Sequence, residues 1–185
     1  MSAAAAILAG GRARRYGGRI KAHLIVEGRR ILDRQLEVLR LLFSDIALCA
    51  NDPAPYADTG LPVLPDATAG CGPLAGIASA LAWTPRPRVF VVACDMPFLE
   101  AAAIELLLAR AGELVVPVVG GRPEPLHAVY HRDLLARVQA RLSAGRRRAA
   151  GLIDDARATL VDEPTLRAVD PELRFLVNLN EPPPA

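Results

Sequence analysis

A chain of 185 residues, about half of them hydrophobic, is long enough to bury one core and suits one domain. Twenty-two basic residues against 20 acidic ones leave a formal charge of +2, too small to argue for a nucleic-acid partner. No stretch is long and apolar enough to span a membrane. The run Ala3 to Ala9 lacks the basic lead-in of a signal peptide, and the odd set Cys49, Cys71 and Cys94, without metal-type spacing, fits reduced thiols in the cytoplasm.

Ala3 to Ala9 reads as a short buried strand halted by Gly10 and Gly11, followed by a polar, glycine-broken loop to about Lys21. Ile31 to Phe43 places Ile31, Leu32, Leu36, Leu39 and Phe43 at helical spacing. Asp45 to Ala50 is a second strand, and a short one lies near Val63 and Leu64. Gly72-Pro73 opens a helix to about Trp83, because proline suits the first helical turn. Arg88 to Ala93 is the most strand-like run and stops at Cys94-Asp95-Met96-Pro97. A helix over Glu100 to Arg110 follows, then strands at Leu114 to Val119 and Leu126 to Tyr130 around a Gly120-Gly121 turn. Arg132 to Ser143 is helical, with Gly145 closing it. One domain over residues 1–181 is expected, with a disordered tail at 182–185.

Strands alternating with helices imply an α/β fold whose mostly parallel sheet is covered on both faces. Ligands bind such sheets beyond the carboxyl ends of the strands, where the loops after Ala9 and Ala93 fall. Those loops are also the most chemically loaded. In Leu8-Ala9-Gly10-Gly11-Arg12-Ala13-Arg14-Arg15-Tyr16-Gly17-Gly18, glycines let backbone N–H groups approach a ligand, and Arg15 and its neighbours offer bidentate donors to phosphate. Lys21 adds a compact charge. The segment is neither a P-loop nor a dinucleotide fingerprint. Asp95, at the end of a buried strand, is the best Mg²⁺ ligand, since Mg²⁺ often takes one or two carboxylates plus substrate phosphates. Pro65-Asp66 and Gly72-Pro73-Leu74-Ala75-Gly76 offer an acceptor for a base or ribose and a helix start with free N–H groups. Taken alone, each of these is better explained by turn and cap chemistry. His127 and His131 lack a zinc-motif context, Ser79 lacks a nucleophile elbow, and Arg146 to Arg148 read as a solvated face.

Taken in order, Leu8-Ala9-Gly10-Gly11 with its downstream Arg, Gly and Lys, then Asp66, Gly72 to Gly76, Cys94-Asp95-Met96-Pro97-Phe98, Pro125-Leu126, Ala128-Val129-Tyr130, Phe175 and Asn178-Leu179-Asn180 resemble the molybdenum cofactor guanylyltransferases, the MobA family. The resemblance spans nearly the whole chain. It implies a three-layer, Rossmann-like nucleotide-diphospho-sugar transferase fold. It also implies a reaction in which the terminal phosphate of molybdopterin attacks the α-phosphate of GTP with Mg²⁺ as cofactor. Pyrophosphate leaves and molybdopterin guanine dinucleotide forms.

Carried over by position, the resemblance puts Leu8, Ala9, Gly10 and Gly11 at the nucleotide. It puts Lys21 and Arg15 at the triphosphate, Asp66 at the nucleotide, Asp95 at nucleotide and metal, and Asn178 and Asn180 on the pterin side. It implies transient contact with other cofactor-biosynthesis proteins, and neither nucleic acid nor membrane as partner. Three positions depart from the family pattern. Ile20 replaces an acid before the lysine, Tyr16 a methionine, and Cys49 an asparagine for which Asn51 can stand in. An acid restored at Ile20 is expected to raise activity. Two alternatives stand beside the main reading: a transferase using CTP or another NTP, and a non-catalytic copy that holds cofactor.

Overall fold

The computed structural model describes residues 2–10, 20–66, 68 and 70–179. Gly11, Arg15 and the rest of the arginine-rich loop lie outside the described residues, as do Asn180 and the expected tail.

The first strand, β1 (Ala3–Leu8), is buried along its whole length. A two-strand hairpin, β2 (Ile25–Val26) and β3 (Arg29–Arg30), leads into helix α1 (Ile31–Leu42). Strands β4 (Ile46–Cys49) and β5 (Val63–Leu64) follow, then helix α2 (Pro73–Trp83), strand β6 (Arg88–Ala93) and helix α3 (Ala101–Leu108). Next come β7 (Leu114–Val119), β8 (Arg122–Pro123), β9 (His127–His131), α4 (Leu135–Ser143), α5 (Leu152–Asp155), β10 (Ala158–Val161) and α6 (Glu163–Arg167). Among the described residues no helix is long and apolar enough to cross a membrane.

The strand order is β10-β7-β9-β6-β1-β4-β5, with β8 paired to β7. β5, β4, β1 and β6 pair in parallel, as do β7 and β10, while β9 runs antiparallel to both β6 and β7. The mostly parallel sheet expected from the sequence is therefore present, with β9 inserted against the grain.

Alternate residues of each strand feed two cores. Ala5, Ile7, Leu48, Phe90, Val92 and Val129 pack with α1, α3 and α6 on one face; Ala6, Leu8, Val89, Val91, Ala128 and Tyr130 pack with α2 and α4 on the other. These are the three layers that the chain's alternation of strand and helix implied. α1 buries Ile31, Leu32, Leu36 and Leu39, each contributing roughly 1.5–3 kcal/mol by leaving water.

The predicted helix at Arg132 begins as a 3-10 turn, Arg132–Leu134, before α4 proper. Gly145 closes α4 at φ +71, with Arg146 N–H donating to the Arg141 carbonyl at 2.9 Å. The two short hairpin strands before α1, the β8 return strand and everything after residue 150 were not foreseen. Each is a segment of two to five residues, too short to show a period.

Candidate active site

β1 and β6 are neighbours, with Leu8 opposite Ala93. The two loops singled out in the sequence therefore leave the sheet side by side. Cys94 N–H donates to the Leu8 carbonyl at 3.2 Å, and Ala9 N–H to the Cys49 carbonyl at 3.0 Å, so the strand ends are stitched together. The buried Tyr56 hydroxyl donates to the Ala9 carbonyl at 3.0 Å. Burial pushes that phenol up to about 12, so it remains a donor at neutral pH.

Beyond these ends lies a cleft of about 770 Å³, lined by Leu8, Gly10, Lys21, Asn51, Asp66, Gly72, Gly76, Asp95, Glu124 and Asn178 among others. That volume lies within the usual range for a small-molecule site. At its centre Lys21 Nζ lies 2.6 Å from Asp95 Oδ2, across 74 residues of chain. Lys21 opens a 3-10 turn, Lys21–His23, and Asp95 follows the end of β6.

The Asp95 loop is fixed from behind. The fully buried Gln35 amide on α1 donates to the Ala93 carbonyl at 2.8 Å and the Met96 carbonyl at 2.9 Å. Arg34 Nε donates to the Pro97 carbonyl at 3.2 Å. Leu179 N–H donates to the Asp95 carbonyl at 2.9 Å, which brings Asn178 to the cleft.

Asn51 and Asp66 form a reciprocal pair beyond β4 and β5. The Asn51 amide donates to Asp66 Oδ2 at 2.9 Å, and the Asp66 N–H donates to Asn51 Oδ1 at 2.8 Å. α2 packs across β1, β4 and β5 beside that pair. A Cβ on Gly76 would come within 2.9 Å of Leu8 Cδ2 and 3.3 Å of Cys49 Cβ, so glycine lets the helix close on the strands here. Gly72, at φ 68 and ψ −160, occupies a conformation reserved for glycine and starts α2 ahead of Pro73.

Of the residues expected at the site, Leu8, Gly10, Lys21, Asn51, Asp66, Asp95 and Asn178 line the cleft. Ala9 sits under it, buried and held by Tyr56. Arg147, read as part of a solvated face, is exposed, but its guanidinium reaches the carbonyl of Gly70 at 3.3 Å. Ile20 departs from its expected role as a vacated acid position. It is half-buried against the core behind β1, so an aspartate there would be desolvated against apolar side chains rather than facing phosphate.

Three contributors escaped sequence reasoning. Gln35 is a polar residue on the buried stripe of α1, between Leu32 and Leu36, and that misfit was a readable signal. Tyr56 gave none. Neither did Glu124, whose carboxylate accepts from Leu126 N–H at 3.1 Å. Desolvation holds that carboxyl above the usual range, reinforced by the Asp95 charge and opposed by hydrogen bonds from Leu126 N–H and the Asn178 side chain.

The family model described as the MobA-like NTP transferase domain matches residues 5–159. The chain belongs to that family. It is a nucleotidyltransferase. A molybdenum cofactor guanylyltransferase from Desulfosudis oleivorans is 34% identical over 177 residues, covering 94% of this chain and 88% of its own. One from Syntrophotalea carbinolica is 32% identical over 180 residues, covering 95% and 85%. Among solved structures, molybdopterin-guanine dinucleotide biosynthesis protein A from Archaeoglobus fulgidus superposes with a TM-score of 0.82 at 24% identity, over 96% of this chain and 92% of that one. That likeness carries the fold, a mostly parallel sheet with helices on both faces.

Proposed function

We propose that this MobA-family chain transfers GMP from GTP to the terminal phosphate of molybdopterin, releasing pyrophosphate. The observation that carries the proposal is the Lys21–Asp95 pair at 2.6 Å in the middle of a cleft built by the ends of β1 and β6. It joins a cation suited to phosphate with a carboxylate suited to a hard metal ion.

Asp95 fits Mg²⁺ as a single-carboxylate ligand, with substrate phosphates and water completing the shell; no group of three metal-binding side chains occurs among the described residues. When bound, the ion would neutralise phosphate charge. Lys21 would face the triphosphate and offset charge developing on the departing pyrophosphate. Arg15, from the glycine-rich loop, is assigned the same work. The acceptor phosphate is already ionised at neutral pH, so the protein supplies positioning and charge rather than a nucleophile.

On this reading Leu8, Ala9, Gly10 and Gly11 flank the nucleotide, and Asn51 and Asp66 meet the base or ribose. Asn178 and Asn180 are assigned to the acceptor. Small residues at Gly10 and Gly11, in place of a bulkier side chain, suit the larger base and favour GTP over CTP. Three free, buried cysteines suit a reducing, cytoplasmic setting.

A thermal-shift panel tests the proposal. GTP with Mg²⁺ is expected to raise the melting temperature more than CTP, ATP or UTP, because a ligand that binds only the native state stabilises it. A shift with CTP equal to that with GTP would overturn the guanylyl assignment. Failure to release pyrophosphate when molybdopterin is added would overturn the acceptor.

A further inference from the structure

The cleft ends in two similar pairs. Sheet order sets them apart: Asn51 and Asp66 follow β4 and β5, whereas Glu124 precedes β9 on the far side of β6. Because β9 runs against β6, its start lies at the same end of the sheet as Asp95. Asp66 and Glu124 thus stand at opposite ends of the cleft, with Lys21 and Asp95 between them. Each carboxylate has an asparagine in its neighbourhood: the Asn51 amide donates to Asp66 at 2.9 Å, and Asn178 lines the cleft with Glu124.

The placement of Glu124 is built in. Its N–H donates to the Pro117 carbonyl at 2.9 Å, and its carbonyl accepts from His127 N–H at 3.3 Å. Two residues on, the Leu126 carbonyl accepts from Ala93 N–H at 2.9 Å, which ties this turn to the strand that carries Asp95. No cation pairs with Glu124 among the described residues. A carboxylate offers about four lone-pair positions, and Leu126 N–H uses one. A half-buried carboxylate without a counter-ion calls for N–H donors from a ligand.

We propose that Glu124 is a specificity residue for the acceptor, taking hydrogen bonds from adjacent N–H groups on its heterocycle, with Asn178 holding the carboxylate in place. The inference rests on the acceptor being molybdopterin, whose pterin presents a 2-amino group next to a ring N–H. Guanine presents the same edge. The two substrates would then be read by like chemistry at opposite ends of the cleft, Asp66 serving the nucleotide and Glu124 the acceptor.

The test is steady-state kinetics on Glu124→Gln and Glu124→Asp, with molybdopterin, GTP and Mg²⁺ varied in turn. Loss of one charge-assisted pair predicts that Glu124→Gln raises KM for molybdopterin about tenfold. KM for GTP and the Mg²⁺ concentration giving half-maximal rate should stay within about twofold of wild type. Glu124→Asp should recover part of the loss. A rise in KM for GTP would show that Glu124 reads the nucleotide, and a rise in Mg²⁺ requirement that it binds metal; either overturns the proposal. So does an unchanged KM for molybdopterin.

A second measurement needs no variant. In the wild-type protein, free 6-hydroxymethylpterin should compete with molybdopterin, while its 2-dimethylamino analogue, which lacks the amino donors, should not. Equal inhibition by both overturns the proposal. If GTP binds but no dinucleotide forms from molybdopterin, the proposed function fails instead; formation of dinucleotide by the wild-type protein tells the two failures apart.

Discussion

The two ends of the cleft solve similar recognition problems with different materials. The end near β4 and β5 is made by close approach. Gly76 brings α2 against Leu8 and Cys49, and the Asn51–Asp66 pair is satisfied by its own two hydrogen bonds. The end near β9 is made by burying groups that can ionise. Glu124 is desolvated there, and His127 lies fully buried between Phe90, 4.9 Å away edge-on, and Phe175, 5.0 Å away. One end depends on shape and the other on charge state. Substitutions should therefore fail differently at the two ends, and the centre should answer to both.

The largest effect is expected at the centre. Asp95→Asn keeps the shape of the side chain and removes the charge that holds Lys21. Turnover should fall by about a hundredfold or more, roughly 2.7 kcal/mol of barrier, with the melting temperature of the free protein little changed. Steady-state rates at limiting Mg²⁺ check this. Activity within a few-fold of wild type would move the metal elsewhere in the cleft.

Next comes the charge-dependent end. His127 has an ordinary value of 6.5 but is pushed down to about 3 by burial. Below 6.5 the unfolded chain therefore binds a proton that the folded core refuses. The stability that neutral His127 contributes is complete above 6.5 and is lost as pH falls toward 3, by at most about 1.4 kcal/mol per pH unit. Glu113, lowered from 4.5 to about 2 by Arg137, titrates below the upper part of that window. Glu124 has the opposite sign, because a raised carboxyl favours the fold at acid pH. His127→Leu should thus shrink the drop in melting temperature between about pH 7.5 and pH 5. An unchanged drop would place the acid sensitivity elsewhere.

The smallest effect belongs to the shape-dependent end. Gly76→Ala puts a methyl group within 2.9 Å of Leu8 Cδ2. The crowding costs roughly 1–3 kcal/mol, offset by about 1 kcal/mol of better helix propensity. Stability should change little, but Leu8, which lines the cleft, must shift. KM for GTP should rise several-fold and KM for molybdopterin should not. Equal changes in both would erase the distinction between the two ends.

How much of this was legible depended on segment length and on which atoms act. β1, α2 and β6 each run for six or more residues, so their periods and bounding glycines and prolines located them within a residue. Lys21 and Asp95 lie 74 residues apart, yet both were readable, because each belongs to the connection after a strand end that a parallel sheet must bring to one side. Glu124 follows a two-residue return strand and sits between Pro123 and Pro125, where no pattern can develop. Tyr56 acts through a backbone carbonyl, a partner that leaves no trace in sequence. Ile20 was misread for a related reason. Its neighbour Lys21 suggested a position facing the ligand, but the extended backbone before the 3-10 turn carries Ile20 inward to the core.

The anchoring of the Asp95 loop by Gln35 has a consequence for redesign. Both hydrogen bonds come from a helix that takes no part in lining the cleft, so the loop's footing is independent of whatever the cleft walls are made of. Residues at either end could be exchanged to admit another base or another acceptor while the reacting centre keeps its alignment. Retargeting such a scaffold becomes a matter of refitting two walls around a fixed post.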